Sequence, residues 1–189
     1  MPKTGAMNAV KKVNKVDVQT IFNAVRKRAE ELGIKTILIA STKGATGVKV
    51  AESFKGYNVV VVTHCTGFTG PDVQELTAEN RERILKAGGK ILTTTHAFGG
   101  LGRAIRRKFG TYQSDEIVAN TLRIFGQGVK VAVEIAIMAA DSGLISLNED
   151  VISMGGSGGG ADTALVLKAA NVQDFFDVKV REIICKPWM

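Results

Sequence analysis

The stretch TILIASTKGATG, residues 36–47, joins a short apolar run to a glycine-containing turn. Residues 36–41 show no alternation of polar and apolar side chains, which is typical of a central strand covered on both faces. The turn, residues 41–47, leads directly into a segment with helical character. A buried strand followed by a short turn and a helix predicts an α/β unit built on a parallel sheet.

The strand signature recurs along the chain, separated by segments with helical periodicity. Further strands are predicted over residues 58–63, 90–95, 150–154 and 178–185. Helices are predicted over 18–32 (with Asp17 as cap and Gly33 at the end), 48–55, 77–87, 101–108, two segments flanking 126–128, and 164–170. Helices that alternate with buried strands predict a three-layer α/β/α sandwich with a mostly parallel sheet. We predict a single domain, with residues 1–16 as a basic N-terminal extension.

The composition excludes several protein classes. With 45% hydrophobic and 23% charged residues, the chain has the composition of an ordinary globular protein. The longest apolar run, 131–140, is interrupted by Glu134 and is shorter than the roughly 20 residues that span a bilayer. The N-terminal stretch lacks the apolar segment of a secretory signal, and two cysteines are too few for a disulfide framework. We therefore predict a cytoplasmic protein.

The excess of positive charge favours anionic partners. The formal net charge is +7 and the isoelectric point is about 9.5, which suits a phosphorylated ligand and a nucleic acid equally well. The basic clusters, 11–15, 26–28 and 103–108, lie on separate predicted elements and have few aromatic neighbours for base stacking. We interpret them as solvated faces, which makes nucleic-acid binding the lesser alternative.

The turn at residues 41–47 has the features of a phosphate site. It combines hydroxyl groups, the ammonium group of Lys43, two glycines and a predicted helix N-terminus. Free N–H groups and the positive end of the helix dipole attract an anion, and glycine allows close approach to the backbone. The spacing is not that of a P-loop, so nucleotide hydrolysis is not predicted.

A second glycine-rich loop follows the predicted fourth strand. Residues 155–163, GGSGGGADT, run into the helix predicted over 164–170, with Asp162 as its N-cap. One interpretation is a flexible turn. The other is a second anion-binding loop, because the carboxyl ends of parallel strands meet at one edge of the sheet, where ligands bind.

Both histidines follow predicted strands. His64 and His96 would therefore lie at the same sheet edge, where an imidazole can bind an anion or exchange protons. The equal alternative is that each histidine anchors its own loop by hydrogen bonds. Cys65 is interpreted as a small buried thiol, and the spacing of His64, Cys65 and His96 does not enforce a zinc site. We predict no metal, and we keep His64 as the candidate catalytic residue.

An apolar helix is predicted over residues 128–141, with Lys130 and Glu134 as an i, i+4 pair. A helix that is apolar on nearly all sides belongs either in the core or at a subunit interface. Composition does not separate these alternatives.

The residues of the 40–47 loop carry a family resemblance. The loop ASTKGATG and its helix resemble the strand, turn and helix of the pyruvate kinase C-terminal domain, which holds a phosphorylated effector. The chain from Asp17 to its final strand resembles small stand-alone proteins with that fold. The resemblance implies a five-stranded sheet of order 3-2-1-4-5 with the fifth strand antiparallel, bound FMN and a homo-oligomer. It does not imply phosphotransfer, because the barrel domain and the kinase residues are missing.

That strand order places the two glycine-rich loops on opposite sides of one crevice. Phe68 and Phe98 offer aromatic faces for a flavin ring, although core packing is the commoner role of phenylalanine. The leading hypothesis is a protein that binds FMN or another phosphorylated small molecule there; the alternative is an enzyme acting on a sugar phosphate or similar metabolite, with His64 as acid or base. The predicted ligand-binding residues are Ser41, Thr42, Lys43, Gly44, Ala45, Thr46, Gly47, His64, Cys65, Thr66, Gly155, Gly156, Ser157, Gly158, Gly159, Gly160, Asp162 and Thr163.

Overall fold

The computed structural model describes residues 17–188 as an α/β fold, and the prediction for residues 1–16 lies outside this range. The helices are α1 (Val18–Leu32), α2 (Ala45–Ser53), α3 (Ala78–Lys86), α4 (Leu101–Phe109), α5 (Ser114–Arg123) and α6 (Gln127–Asp141). The strands are β1 (Thr36–Ala40), β2 (Asn58–Val62), β3 (Lys90–Leu92), β4 (Asp150–Gly155), β5 (Thr163–Lys168) and β6 (Lys179–Cys185). A 3-10 helix, Val172–Asp177, links β5 to β6.

The strands form a single sheet of order β3-β2-β1-β4-β5-β6. Strands β1 to β4 are parallel, β5 is antiparallel to β4, and β6 is antiparallel to β5. The predicted α/β class, the order 3-2-1-4-5 and an antiparallel strand in fifth place are confirmed. Residues 178–185, which were predicted to be that antiparallel strand, instead form the sixth strand and run parallel to β4. The order reverses between β1 and β4, which puts a crevice at their carboxyl ends.

The identity of the fifth strand differs from the prediction. Residues 164–170 were predicted as a helix, but Thr163–Lys168 form β5, and the segment predicted as the last strand forms β6. The sequence TALVLK is short and almost fully buried, and it pairs along its whole length with β4. A short apolar run does not distinguish strand from helix by periodicity alone, and here pairing with β4 decides in favour of a strand.

Helices cover both faces of the sheet, as predicted. On one face, Ile37, Ile39, Val61 and Met154 pack in a core that includes Phe22 and other residues of α1, α2 and α3. On the other face, side chains that alternate with these along the strands pack against α5 and α6. Because both faces are buried, the central strands contain little besides apolar residues.

Helix α6 lies in the core of the chain. Twelve of its fifteen residues are buried, and its neighbours in the second core include residues of β1, β2, β4 and β5. This burial resolves the alternatives left open by its composition, so the apolar character of α6 gives no support to a subunit interface. No helix within residues 17–188 has the length and apolarity needed to cross a membrane.

The local signals of α1 and α2 explain where these helices begin. Asp17 accepts a hydrogen bond from the Thr20 N–H, and Gly33 ends α1 with φ of 68°. Helix α2 begins at Ala45, earlier than predicted, directly after Gly44, whose φ of 94° favours glycine. Gly47 lets α2 approach β2, because a Cβ there would lie 2.5 Å from Val61 Cγ1. The turn after β1 is therefore fixed in place by packing as well as by hydrogen bonds.

Candidate functional site

A crevice with a volume of about 770 Å³ lies at the carboxyl ends of β1, β2 and β4. This size falls within the range of small-molecule sites, roughly 300–1,000 Å³. The β1–α2 turn forms one side, the β4–β5 loop forms another, and the first turns of α6 line the crevice as well. Both glycine-rich loops therefore line the same cavity.

The β1–α2 turn presents the N-terminus of α2 to the crevice. Ala45 and Thr46 line the cavity, and no acceptor among the described residues is bonded to their N–H groups. The hydroxyl group of Ser41 accepts from the Gly47 N–H at 3.0 Å, and Asn80 Nδ2 donates to the Lys43 carbonyl at 2.9 Å. Free amides on a rigid turn at a helix N-terminus form an anion-binding arrangement.

The β4–β5 loop is a hairpin loop, which corrects the prediction of a second helix N-terminus. Gly158, Gly159 and Gly160 have φ of 137°, 91° and 131°, values that few other residues adopt. Asp162 is not a helix cap: its carboxylate accepts from the Ser157 N–H at 2.9 Å and from the Ser157 hydroxyl, and so closes the loop. The loop brings bare backbone to the crevice but no helix dipole.

Two histidines and a phenylalanine form an aromatic cluster on the β2 and β3 side of the crevice. The rings of His64 and Phe68 lie 4.1 Å apart, and those of His64 and His96 lie 5.3 Å apart. All three residues line the cavity. Both histidines were expected at this sheet edge, and the loops after β2 and β3 bring their rings together.

His64 is oriented by two hydrogen-bonding side chains. Its Nδ1 lies 2.7 Å from Glu75 Oε2, and its Nε2 lies 3.4 Å from Thr42 Oγ1 in the β1–α2 turn. A carboxylate on one ring nitrogen fixes the tautomer and leaves the other nitrogen available for proton exchange. The geometry permits acid–base chemistry beside the anion-binding turn.

Lys130 and Glu134 lie in the crevice and are almost fully buried. The Lys130 ammonium donates to Glu134 Oε2, and Glu134 Oε1 accepts from the Phe98 N–H at 3.0 Å. Burial lowers the pKa of Lys130, and the Glu134 carboxylate opposes that shift. The Phe98 ring packs edge-on against the Phe175 ring in the core, with 5.6 Å between the ring centroids. Phe98 therefore has the core-packing role, and its ring face is not available to a flavin.

The charge of the crevice is strongly positive. Among the described residues, its lining holds one carboxylate, that of Glu134, against the cationic side chains of Lys43, Lys49, Arg103, Arg123 and Lys130. Burial lowers the pKa of His96, the Glu134 carboxylate opposes that shift, and the charges of Lys130 and Arg103 add to it. The lysine and arginine side chains therefore define the electrostatic character of the site.

The structure divides the predicted ligand-binding residues into two groups. Lining the crevice are Ser41, Thr42, Lys43, Ala45, Thr46, His64, Gly156, Ser157, Gly158, Gly159 and Gly160. Outside its lining are Gly44, Gly47, Cys65, Thr66, Gly155, Asp162 and Thr163. Most of the second group shape or close the turns, as Gly47 and Asp162 do.

Several crevice residues were not predicted from the sequence. Arg103 was assigned to a solvated basic face, but it lines the crevice and lies over the Phe68 ring at 5.1 Å. Arg123 and Gln127 carry no sequence signal of their own. Lys130 and Glu134 did carry a sequence signal, because two opposite charges four residues apart in an otherwise apolar helix indicate a buried ion pair.

The described part of the chain contains no cluster of three or more histidine, cysteine or acidic side chains that would hold a metal ion. His64 and His96 face the crevice, whereas Cys65 does not line it. The groups that the described residues present to the crevice include amides, cations and imidazoles.

Comparison with known proteins identifies a family and several structural relatives. The family described as pyruvate kinase, alpha/beta domain, matches residues 19–167. The fold is similar to that of a pyruvate kinase from Cryptosporidium parvum, at 14% identity and a TM-score of 0.42, over 84% of this chain and 24% of that one. A structure of Cryptosporidium parvum pyruvate kinase in complex with ADP gives 15% identity, a TM-score of 0.41, and coverage of 84% and 25%.

A similarity to O-ureido-L-serine synthase is weaker. The identity is 20% and the TM-score 0.30, over 65% of this chain and 38% of that one. The chain thus spans about a quarter of the length of the pyruvate kinases that it resembles and about two fifths of the synthase.

Proposed function

Since this chain belongs to the pyruvate kinase alpha/beta domain family, we propose that it binds a phosphorylated small molecule, FMN, in the crevice. One observation carries the proposal: within residues 17–188, the N–H groups of Ala45 and Thr46 have no acceptor and face a cavity lined by five cationic side chains and one carboxylate. An anionic group compensates both the free amides and the excess positive charge.

The phosphate would lie at the N-terminus of α2. Of the two glycine-rich loops, only the β1–α2 turn combines free amides with a helix dipole and an adjacent ammonium group, that of Lys43. The β4–β5 loop would contact the ribityl chain through its exposed backbone and the Ser157 side chain. These assignments follow from the difference between a helix N-terminus and a hairpin loop.

The aromatic cluster suits a flavin ring. Phe68 and His64 offer adjacent ring faces, and a ring system held there would lie beside the Arg103 guanidinium. FMN supplies redox chemistry when bound, and the chain would position the flavin and exclude competing reactions. We also place the protein in the cytoplasm, an assignment supported by the free thiols of Cys65 and Cys185.

Binding of FMN should depend on its phosphate group. We expect the fluorescence of FMN to be quenched when it is titrated with the protein. Riboflavin, which lacks the phosphate, should bind at least about 100-fold more weakly. The substitution Lys43→Gln should weaken FMN binding by about tenfold, because it removes one charge-assisted contact. Lys55→Gln, on the exposed turn that follows the C-terminal end of α2, is the matched control and should leave affinity unchanged. Equal affinity for FMN and riboflavin would contradict the proposal.

A second candidate function is supported by the hydrogen bond between Glu75 and His64. An imidazole oriented by a carboxylate beside an anion-binding turn is suited to proton transfer on a phosphorylated metabolite, such as a sugar phosphate. The reaction would move a proton between a ligand carbon and His64 Nε2, with the carbon-bound hydrogen exchanging with solvent.

Deuterium exchange tests this second candidate. In D2O, triose and pentose phosphates incubated with the protein should lose a carbon-bound hydrogen signal in NMR spectra. The substitution His64→Asn should slow the exchange by at least about 100-fold while ligand affinity stays nearly the same. Thr69→Val, which replaces an exposed hydroxyl outside the crevice lining, is the control. Exchange that persists in the His64 variant would exclude His64 as the acid or base.

A further inference from the structure

A second cavity, with a volume of about 320 Å³, lies between α4 and α5. We call it the arginine cleft; its lining includes Arg103, Arg106, Arg107, Tyr112, Glu116 and Arg123. Arg103 and Arg123 also line the crevice, so the two cavities adjoin. The site described above makes no use of the other four residues.

The guanidinium groups of the cleft lack enough carboxylate partners. Arg106 Nε donates to Glu116 Oε1 at 2.6 Å, whereas Arg123 bonds the neutral side chains of Asn120 and Gln127. Within residues 17–188, neither Arg103 nor Arg107 has an ion-pair partner. Like charges gathered around one cavity repel each other, and a bound oxyanion relieves that repulsion through paired N–H donors.

Glu116 provides an independent indication of a ligand. Its side chain is only 10% exposed, and its Oε2 atom is buried without a hydrogen-bond partner among the described residues. A buried carboxylate oxygen left without a donor is costly, and such atoms in native proteins call for a specific explanation. Because the Glu116 side chain lines the cleft, a rotation of its carboxylate would let a ligand there that carries a hydrogen-bond donor supply the missing partner.

We propose that the arginine cleft is a second oxyanion site, which binds a phosphate group that carries a proton. The arginines bind the unprotonated oxygens, and the phosphate hydroxyl donates to Glu116. Inorganic phosphate near neutral pH has such a hydroxyl group, whereas sulfate does not. The carboxylate therefore selects phosphate over sulfate, two ions of similar shape.

The cleft can be studied separately from the crevice. The substitution Thr46→Glu places a carboxylate at the N-terminus of α2 and blocks anion binding in the crevice. In that background, calorimetric titration at constant ionic strength should show one site for inorganic phosphate, with sulfate at least about tenfold weaker. Adding Arg107→Gln should weaken phosphate binding by about tenfold or more. Lys108→Gln, which removes the neighbouring charge of α4 outside the cleft lining, should have less than about a twofold effect.

A further variant tests the role of Glu116 directly. Glu116→Gln keeps an acceptor for Arg106 and replaces Oε2 by an amide that can donate to sulfate, so the preference for phosphate should fall by about tenfold. Circular dichroism establishes that the variant is folded. Loss of all phosphate binding in the Thr46→Glu protein, equal affinity for the two ions, or equal effects of Arg107→Gln and Lys108→Gln would overturn the proposal. Failure of FMN to bind would leave it intact.

Discussion

A glutamate at position 46 should abolish anion binding in the crevice without unfolding the protein. Thr46 lies in the first turn of α2 and lines the cavity. A carboxylate there would occupy the position proposed for the phosphate and repel it, and like charges brought together in a binding site cost several kcal/mol. We expect FMN to bind the Thr46→Glu protein at least about 100-fold more weakly than the unmodified chain.

The same substitution should leave the stability of the fold unchanged or slightly higher. Helix α2 has no acidic residue in its first turn and no side-chain cap, so a carboxylate there would interact favourably with the helix dipole. Chemical denaturation and FMN titration together separate the two effects. Asn148→Glu, on the exposed loop before β4 at the other end of the sheet, is the matched control and should bind FMN normally. Unchanged FMN affinity in the Thr46→Glu protein would exclude the N-terminus of α2 as the phosphate site.

The largest loss of stability is expected from removal of the Glu134 charge. The variant Glu134→Gln keeps an acceptor for the Phe98 N–H but leaves the Lys130 ammonium buried without its counter-ion. Breaking one partner of a buried pair costs about 3–5 kcal/mol. The double variant Lys130→Met/Glu134→Gln removes both charges and should regain most of that loss. Urea unfolding monitored by circular dichroism measures the free energy of unfolding of the unmodified chain, the single variant and the double variant.

The loss should also depend on pH in a defined direction. Burial lowers the pKa of Lys130, and the Glu134→Gln variant lacks the carboxylate that opposes this shift. The unfolded chain then binds the Lys130 proton more tightly than the folded chain does, so the free energy of unfolding rises with pH between the lowered value and the ordinary value of 10.5. We therefore expect Glu134→Gln to be less destabilising at pH 9 than at pH 6.

An exposed pair of the same spacing provides the control. Lys27 and Glu31 are also separated by four positions, but their side chains are 79% and 45% exposed. Because surface ion pairs contribute little, Glu31→Gln should cost far less than Glu134→Gln and should show little dependence on pH. Equal losses for the two glutamate variants would indicate that burial of the Lys130–Glu134 pair has no energetic consequence.

Local rules in the sequence were sufficient for much of the fold. The Asp17 cap, the Gly33 end of α1 and the apolar run of β1 follow from interactions within a few residues, and all three agree with the structure. The prediction of a helix over 164–170 was wrong because TALVLKAA combines residues common in helices with a length typical of strands. Only its pairing with β4, which is a long-range contact, makes it a strand.

The site was predictable where it coincides with a single turn. The β1–α2 turn is continuous in sequence, so its hydroxyls, glycines and ammonium group could be recognised together. Glu75, Arg103 and Arg123 reach the site from separate loops and helices, and nothing in their own surroundings indicates that they converge. Arg103 in particular resembles an ordinary surface residue of an amphipathic helix until α4 is placed beside the crevice.

The loops on the two sides of the crevice differ in how freely their lengths and sequences can change among related chains. The β1–α2 turn is fixed by the contact of Gly47 with Val61 and by Asn80, so insertions there would displace a helix from the core. The β4–β5 loop joins neighbouring antiparallel strands and carries no helix, so its length can change without moving any layer. Related chains can therefore keep one anchoring group and acquire new ligands through the hairpin alone. Libraries that insert residues between Gly158 and Gly160, while Gly156, Asp162 and the α2 turn stay constant, offer a direct route to altered specificity.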